Sequence, residues 1–182
     1  LAFAAGTILL ISGATPAIGS RIGALERVLP LAVLEVSHLA ASAVGVGLLI
    51  LARGLYYRLD AAWHLMLWLL GIGIAASLLK GADYEEAFVL LVMFALLAPA
   101  RGVFYRLSRV DQAGLTLPWA AGIAAVLGVA TWVGFLSYRD VEYVHALWFS
   151  FDLHGDAPRF LRATLAVALL AGGVSAWFVL RR

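Results

Sequence analysis

The sequence predicts an all-α, polytopic integral membrane protein with about six transmembrane helices. Three observations predict it. Hydrophobic residues make up 64% of the 182 residues, charged residues only 13%, and mean hydropathy is +0.97. A soluble domain carries about 45–50% apolar and about 25% charged residues. The apolar residues fall into runs close to the roughly 20 residues that a helix needs to cross a bilayer. The charged residues cluster between those runs, where lipid headgroups would meet them. This composition excludes a disordered chain, a water-soluble globule and a nucleic-acid-binding domain. Net charge is +2 and the pI is about 9.2, a slight basicity that headgroup-facing Lys and Arg account for. With no cysteine there is neither a disulfide framework nor a thiolate metal site.

The runs follow in order. The first covers about residues 1–15 and has no charged leader, so it is not a signal peptide. Segment 16–30 holds Pro16, Arg21, Glu26, Arg27 and Pro30, too polar for the bilayer core, and reads as an interfacial loop. The second run, 31–52, ends in Arg53-Gly54-Leu55-Tyr56-Tyr57-Arg58, an aromatic and basic belt. The third covers about 61–80, with Asp60 placed as its N-cap and Gly81 as the glycine beyond its C-cap. The turn Lys80-Gly81-Ala82 is short, so helices three and four form an antiparallel hairpin. Asp83 and Glu86 open the fourth run, about 84–100, with capping-box spacing. The fifth covers about 117–138. Segment 139–159 mixes charges with Leu147-Trp148-Phe149-Ser150-Phe151 and suits an interfacial helix. The sixth run covers about 160–180. The missing Met at Leu1 and the stop at Arg182 read as the edges of a longer protein.

Six spans place both termini on one side. That side carries Arg53, Arg58, Arg101, Arg106, Arg109, Arg181 and Arg182; the other carries Arg21, Arg27, Lys80, Arg139, Arg159 and Arg162. Positive charge favours the cytoplasm, so this near-tie leans toward cytoplasmic termini.

Several polar residues stand out against the apolar background. Glu35, Ser37, His38 and Ser42 lie inside the second helix, and Glu35, His38 and Ser42 share a face at i,i+3 and i,i+4 spacing. Ionisable groups in a span are costly and face a cavity or a partner. They read either as a polar pocket for a headgroup or proton, or as an interfacial feature, because Glu35 is about one turn from Pro30. Ser37, Ala41 and Gly45, and the pairs Gly71–Ala75 and Gly73–Ser77, form small-residue stripes that predict close helix packing. Asp83, Glu85 and Glu86 either cap a helix or attract a cationic headgroup. Arg101, Arg106 and Arg109, with Phe104 and Tyr105, either anchor on anionic lipid or grip a phosphate. Arg159 and Arg162, after Asp156-Ala157-Pro158, carry the same pair of readings at a helix start. Haem ligation by His38 and His64 fails because about 15 Å of bilayer depth separates them. No catalytic or cofactor motif appears: HExxH, P-loop, GxSxG and GxGxxG are all missing.

Five blocks carry a family resemblance. They are Pro30-Leu31-Ala32-Val33-Leu34-Glu35-Val36-Ser37-His38, then Leu51-Ala52-Arg53-Gly54-Leu55-Tyr56-Tyr57-Arg58-Leu59-Asp60-Ala61-Ala62. Next come Ser77-Leu78-Leu79-Lys80-Gly81-Ala82-Asp83-Tyr84-Glu85-Glu86-Ala87, Phe104-Tyr105-Arg106, and Asp156-Ala157-Pro158-Arg159-Phe160-Leu161-Arg162-Ala163. In their order and spacing, over about residues 28–165, they resemble the membrane domain of the multiple peptide resistance factor family. These are bacterial lysyl-phosphatidylglycerol synthases and flippases. The blocks around Lys80–Ala87 and Asp156–Ala163 are the most specific.

The resemblance implies a homodimeric inner-membrane protein that confers resistance to cationic antimicrobial peptides. In the family an N-terminal group of helices is associated with flipping the aminoacylated lipid. A second group precedes a cytoplasmic domain that transfers lysine from lysyl-tRNA to phosphatidylglycerol. The present sequence is similar to that second group, without the catalytic domain. No aminoacyl-transfer residue is therefore expected in it, and no cofactor or metal. Its expected partners are phosphatidylglycerol, lysyl-phosphatidylglycerol and the bilayer, with lysyl-tRNA reached only through the catalytic domain. Arg58, Arg101, Tyr105, Arg106 and Arg109 are expected to hold lipid phosphate on the cytoplasmic side. Asp83, Glu85 and Glu86 would receive the lysyl group on the outer side, with Arg159 and Arg162 as phosphate contacts. Glu35 and His38 would line a polar path between the two sides. The alternatives are a transporter or channel for a non-lipid substrate, and a passive anchor or dimerisation scaffold.

Overall fold

The computed structural model describes residues 1–15, 29–106, 116–139 and 156–180. The fold is all-α, with no strand among the described residues. Six helices follow in order: α1 (Ala2–Ala14), α2 (Leu31–Tyr56), α3 (Asp60–Gly81), α4 (Tyr84–Leu97), α5 (Leu117–Ser137) and α6 (Asp156–Leu180). A 3-10 turn, Ala98–Val103, prolongs α4, because Pro99 has no N–H with which to continue an α-helix. Four stretches, Ala32–Tyr56, Asp60–Gly81, Tyr84–Val103 and Leu117–Ser137, are long and apolar enough to cross a membrane. By length and composition this is a membrane protein. At 13 residues, α1 is shorter than a full span. The expected interfacial segments 16–30 and 139–159, with Arg109, lie mostly or wholly outside the described residues.

The surface agrees with a lipid solvent. Trp68, Phe88, Trp132 and Leu169 are each more than 60% exposed, while small and apolar side chains fill the interior. Helix α2 is the centre of the bundle, with α1, α3, α5 and α6 packed around it. One core joins Leu9 of α1, Leu48 of α2, Met66 and Leu70 of α3, and Leu90 of α4. A second joins Leu10, Val46, Leu49, Ile123 and Ala130, and so fastens α5 to α1 and α2. The α1–α2 crossing is close enough that a Cβ on Gly6 would lie 2.6 Å from the carbonyl of Gly45. The Ser37–Gly45 and Gly73–Ser77 stripes do face neighbours, whereas Gly71 and Ala75 face outward, so the packing expected of that pair is absent.

Three terminal expectations are corrected. Asp60 begins the first turn of α3, and Leu59 is the N-cap. At the other end Ala82, not Gly81, takes the left-handed conformation, at φ 53°. Asp83 is the N-cap of α4 but makes no side-chain cap bond, so the capping box does not form. The cause is that Glu86 turns inward to a buried lysine.

Candidate functional site: a buried charge seam at one end of the bundle

The charges gather at two ends. The turn end holds the close of α1, the start of α2, the α3–α4 turn and the start of α6. The belt end holds the α2–α3 turn, the 3-10 turn and the start of α5. Glu35 and Arg53 on α2 are about 27 Å apart along the axis, near the hydrocarbon thickness of about 30 Å. That spacing matches two charged ends on either side of a hydrocarbon layer.

At the turn end the charges are buried and paired. Glu86 and Lys80 are each 6% exposed. Lys80 Nζ donates to Glu86 Oε2 at 2.8 Å and to Ser12 Oγ at 2.9 Å. Ser77 Oγ donates to Glu86 Oε1 at 2.8 Å, and Ser12 Oγ also bonds Glu86 Oε2. Asp83 Oδ2 stands 3.6 Å from Lys80 Nζ. Three helices, α1, α3 and α4, thus share one ammonium and one carboxylate. A buried ion needs such company, because the apolar surroundings penalise an unpaired charge heavily.

The second buried group joins α2 to α6. Glu35 Oε1 accepts from Arg159 Nε at 3.2 Å and from Arg162 Nη2 at 2.8 Å. Arg162 Nη2 also reaches Glu35 Oε2 at 2.7 Å. Arg159 is 4% exposed and Glu35 8%. Helix α6 starts earlier than expected, so both arginines lie in its first two turns and face inward. Below them Phe160 fills a notch at Gly134, where a Cβ would lie 2.0 Å from the ring, and it stacks on Tyr138 at 5.6 Å.

His38 lies about one turn deeper than Glu35. The Gly13 carbonyl faces its ring, and the charges of Lys80, Arg159 and Arg162 all act on it. Its Nε2 is buried and has no hydrogen-bond partner among the described residues. Ser42 Oγ bonds the His38 carbonyl, not the ring, at 3.2 Å. The expected path from Glu35 and His38 across the bundle stops there. Along α2, Val44, Val46, Leu48, Leu49 and Leu51 are buried and apolar.

The belt end is built differently. Arg58, Arg101, Tyr105 and Arg106 are exposed. Backbone joins two of them: Arg106 N–H donates to the Arg58 carbonyl at 3.3 Å, and Asp60 N–H to the Arg106 carbonyl at 3.2 Å. Arg58 adopts φ 58°, a left-handed turn just beyond the end of α2. The Arg101 guanidinium lies 5.8 Å from the Trp63 ring. His64, near Asp60, belongs to this end and is far from His38.

Sequence reasoning missed Lys80, Ser12 and Ser77 as partners of Glu86. The i,i+3 spacing of Ser77 and Lys80 was a signal for the α3 half, but Ser12 carries none. Sequence reasoning placed Arg53 in the belt but not among the site residues, and Arg53 is only 9% exposed. Its guanidinium donates to Thr116 Oγ1 at 2.7 Å and to Tyr57 Oη at 3.1 Å. No family model matches the chain, and no curated protein matches it.

Proposed function

We propose that the chain is the membrane domain of a phosphatidylglycerol lysyltransferase and lysyl-phosphatidylglycerol flippase, and that it binds and presents these lipids. The observation that carries this reading is the Glu35–Arg159–Arg162 triad at the turn end. Two guanidiniums converge on one carboxylate there, and the same fork geometry suits a lipid phosphate. The triad also ties together the first and last of the five blocks that carry the resemblance. The blocks around Arg58 and Arg106 meet as well, through backbone hydrogen bonds.

In this reading the belt end is cytoplasmic. Arg58, Arg101, Tyr105, Arg106 and, by sequence, Arg109 hold phosphatidylglycerol beside the aminoacylating domain. The turn end faces outward, where Arg159 and Arg162 take the phosphate of the lysyl lipid and Asp83 and Glu85 its amines. Glu86 neutralises Lys80 and keeps that cation from competing. Holding is favoured over passage through the bundle, because the α2 interior beyond Ser42 is apolar. Exposed lysyl lipid lowers the negative surface potential and weakens binding of cationic peptides.

The test uses the full protein in cells. Glu35→Ala, Arg162→Ala and Arg106→Ala are compared for lysyl-lipid level and leaflet distribution. Arg106→Ala is expected to lower synthesis, and the turn-end variants to lower outer-leaflet lysyl lipid. Unchanged synthesis and exposure in all three would sink the reading. One observation favours a passive scaffold: Lys80, Glu86, Ser12 and Ser77 pair with one another across three helices, as a structural stitch does. A scaffold predicts that an unrelated membrane anchor preserves export.

A further inference from the structure

Helices α5 and α6 both pack on α1 and α2, yet hardly on each other. They meet at the turn end, where the Phe160 ring of α6 touches Phe135 and Tyr138. Away from that point a groove opens between them. Its main cavity, about 170 Å³, has Val46 and Ile50 as a floor, Ala124 and Leu127 on one wall, and Gly172 and Val174 on the other. Ala124 and Gly172 are exposed, so the groove opens sideways to the apolar exterior. Leu127 also lines a second cavity of about 30 Å³, closer to Phe160, which adds the hydroxyl side chains of Ser42, Thr131 and Thr164. Arg159 and Arg162 lie on the same turns of α6 as Phe160 and Ala163, which line that cavity, and reach across to Glu35 of α2.

The sequence of surfaces is ordered: an apolar slot, then three hydroxyls, then two arginines at the turn end. A phospholipid has the same order of tail, ester and phosphate. An apolar cavity of about 150 Å³ takes a hydrocarbon as large as benzene, so the main cavity suits several methylenes and no headgroup. The charge at its end is cationic and fits an anionic phosphate. We propose that the α5–α6 groove holds one acyl chain of a phospholipid whose phosphate lies at Arg159 and Arg162. The headgroup half of this statement rests on the lipid-binding reading above; the acyl half rests on the groove itself.

The experiment is native mass spectrometry of the full chain released from nanodiscs of phosphatidylglycerol and phosphatidylethanolamine. The wild type is expected to keep one phospholipid per chain. Gly172→Leu and Ala124→Leu fill opposite walls. A Cβ at Gly172 meets nothing within 4 Å, so the backbone there accepts a side chain. Each is expected to cut retention about tenfold, as displacing two methylenes does, with an unchanged thermal midpoint. Retention equal to wild type in both filled variants would overturn the acyl site, as would no retained lipid in the wild type. Retention lost on filling but equal for the two lipids, and unaffected by Arg162→Ala, upholds the acyl site and defeats the phosphate assignment. Phosphatidylglycerol preference lost in Arg162→Ala, with filling variants silent, does the reverse.

Discussion

At the turn end Glu35, Lys80, Glu86 and Arg159 are each at most 8% exposed, and every one has an ionic partner from another helix. At the belt end Arg58, Arg101, Tyr105 and Arg106 stand in the open, and what holds them in place is backbone geometry and one ring contact. Both ends carry arginine, but it is the turn end that sets carboxylates against its cations. The difference lies in what water or lipid does with the charge when its partner is removed. A buried ion without its partner has lost its solvation as well as its pair. An exposed one keeps its hydration and loses little. Mutation at the turn end should therefore cost stability as well as binding, and at the belt end binding alone.

The largest expected effect breaks the Lys80–Glu86 pair. Lys80→Ala leaves Glu86 buried with only hydroxyl donors, and removing one partner of a buried pair costs about 3–5 kcal/mol. Thermal unfolding in detergent should show a large drop, and Lys80→Met with Glu86→Leu together should recover most of it. If Lys80→Ala proved as mild as Arg106→Ala, the contrast between the ends would collapse.

A smaller effect is expected at the α5–α6 contact. Gly134→Ala places a Cβ 2.0 Å from the Phe160 ring, which is 2% exposed and wedged against Phe135 and Tyr138. Overpacking costs about 1–3 kcal/mol, more than the roughly 1 kcal/mol that Ala gains over Gly in a helix. Pairing it with Phe160→Leu should restore stability, measured by the same unfolding curve.

Much of this fold was legible in the sequence, for a physical reason. A bilayer demands long apolar helices, and the six helices begin and end within about four residues of the apolar runs. The helix ends were harder. Glu86 looked like half of a capping box because spacing alone cannot show that Lys80, one turn across the hairpin, competes for it. Ala82 supplies a further test of that error. It sits at φ 53°, where an L side chain costs about 1 kcal/mol and glycine nothing. Ala82→Gly should therefore raise turn-end stability by about 1 kcal/mol, and no change would mean that the turn relaxes elsewhere. The candidate site was legible as a set of residues but not as pairs. Glu35 and Arg162 are separated by most of the chain, and only the docking of α6 on α2 brings them together.

The smallest stability effect is expected at the belt end, and it sharpens the comparison from the other side. Arg106→Ala removes an exposed guanidinium while keeping the backbone bonds to Arg58 and Asp60, so stability should change by less than about 0.5 kcal/mol. Binding should change more. Each arginine near an anionic surface is worth about 1 kcal/mol of attraction, and salt screens it within a Debye length of about 10 Å at 0.1 M. Phosphatidylglycerol binding to the nanodisc-free protein should weaken about fivefold in Arg106→Ala at low salt, and the gap to wild type should close as salt rises. The Glu35–Arg162 pair should respond less to salt, because both side chains are largely buried. A salt series on Arg106→Ala beside Arg162→Ala therefore separates a solvated phosphate surface from a desolvated one, and equal salt slopes for the two would show that both ends bind lipid, or fail to, by the same means.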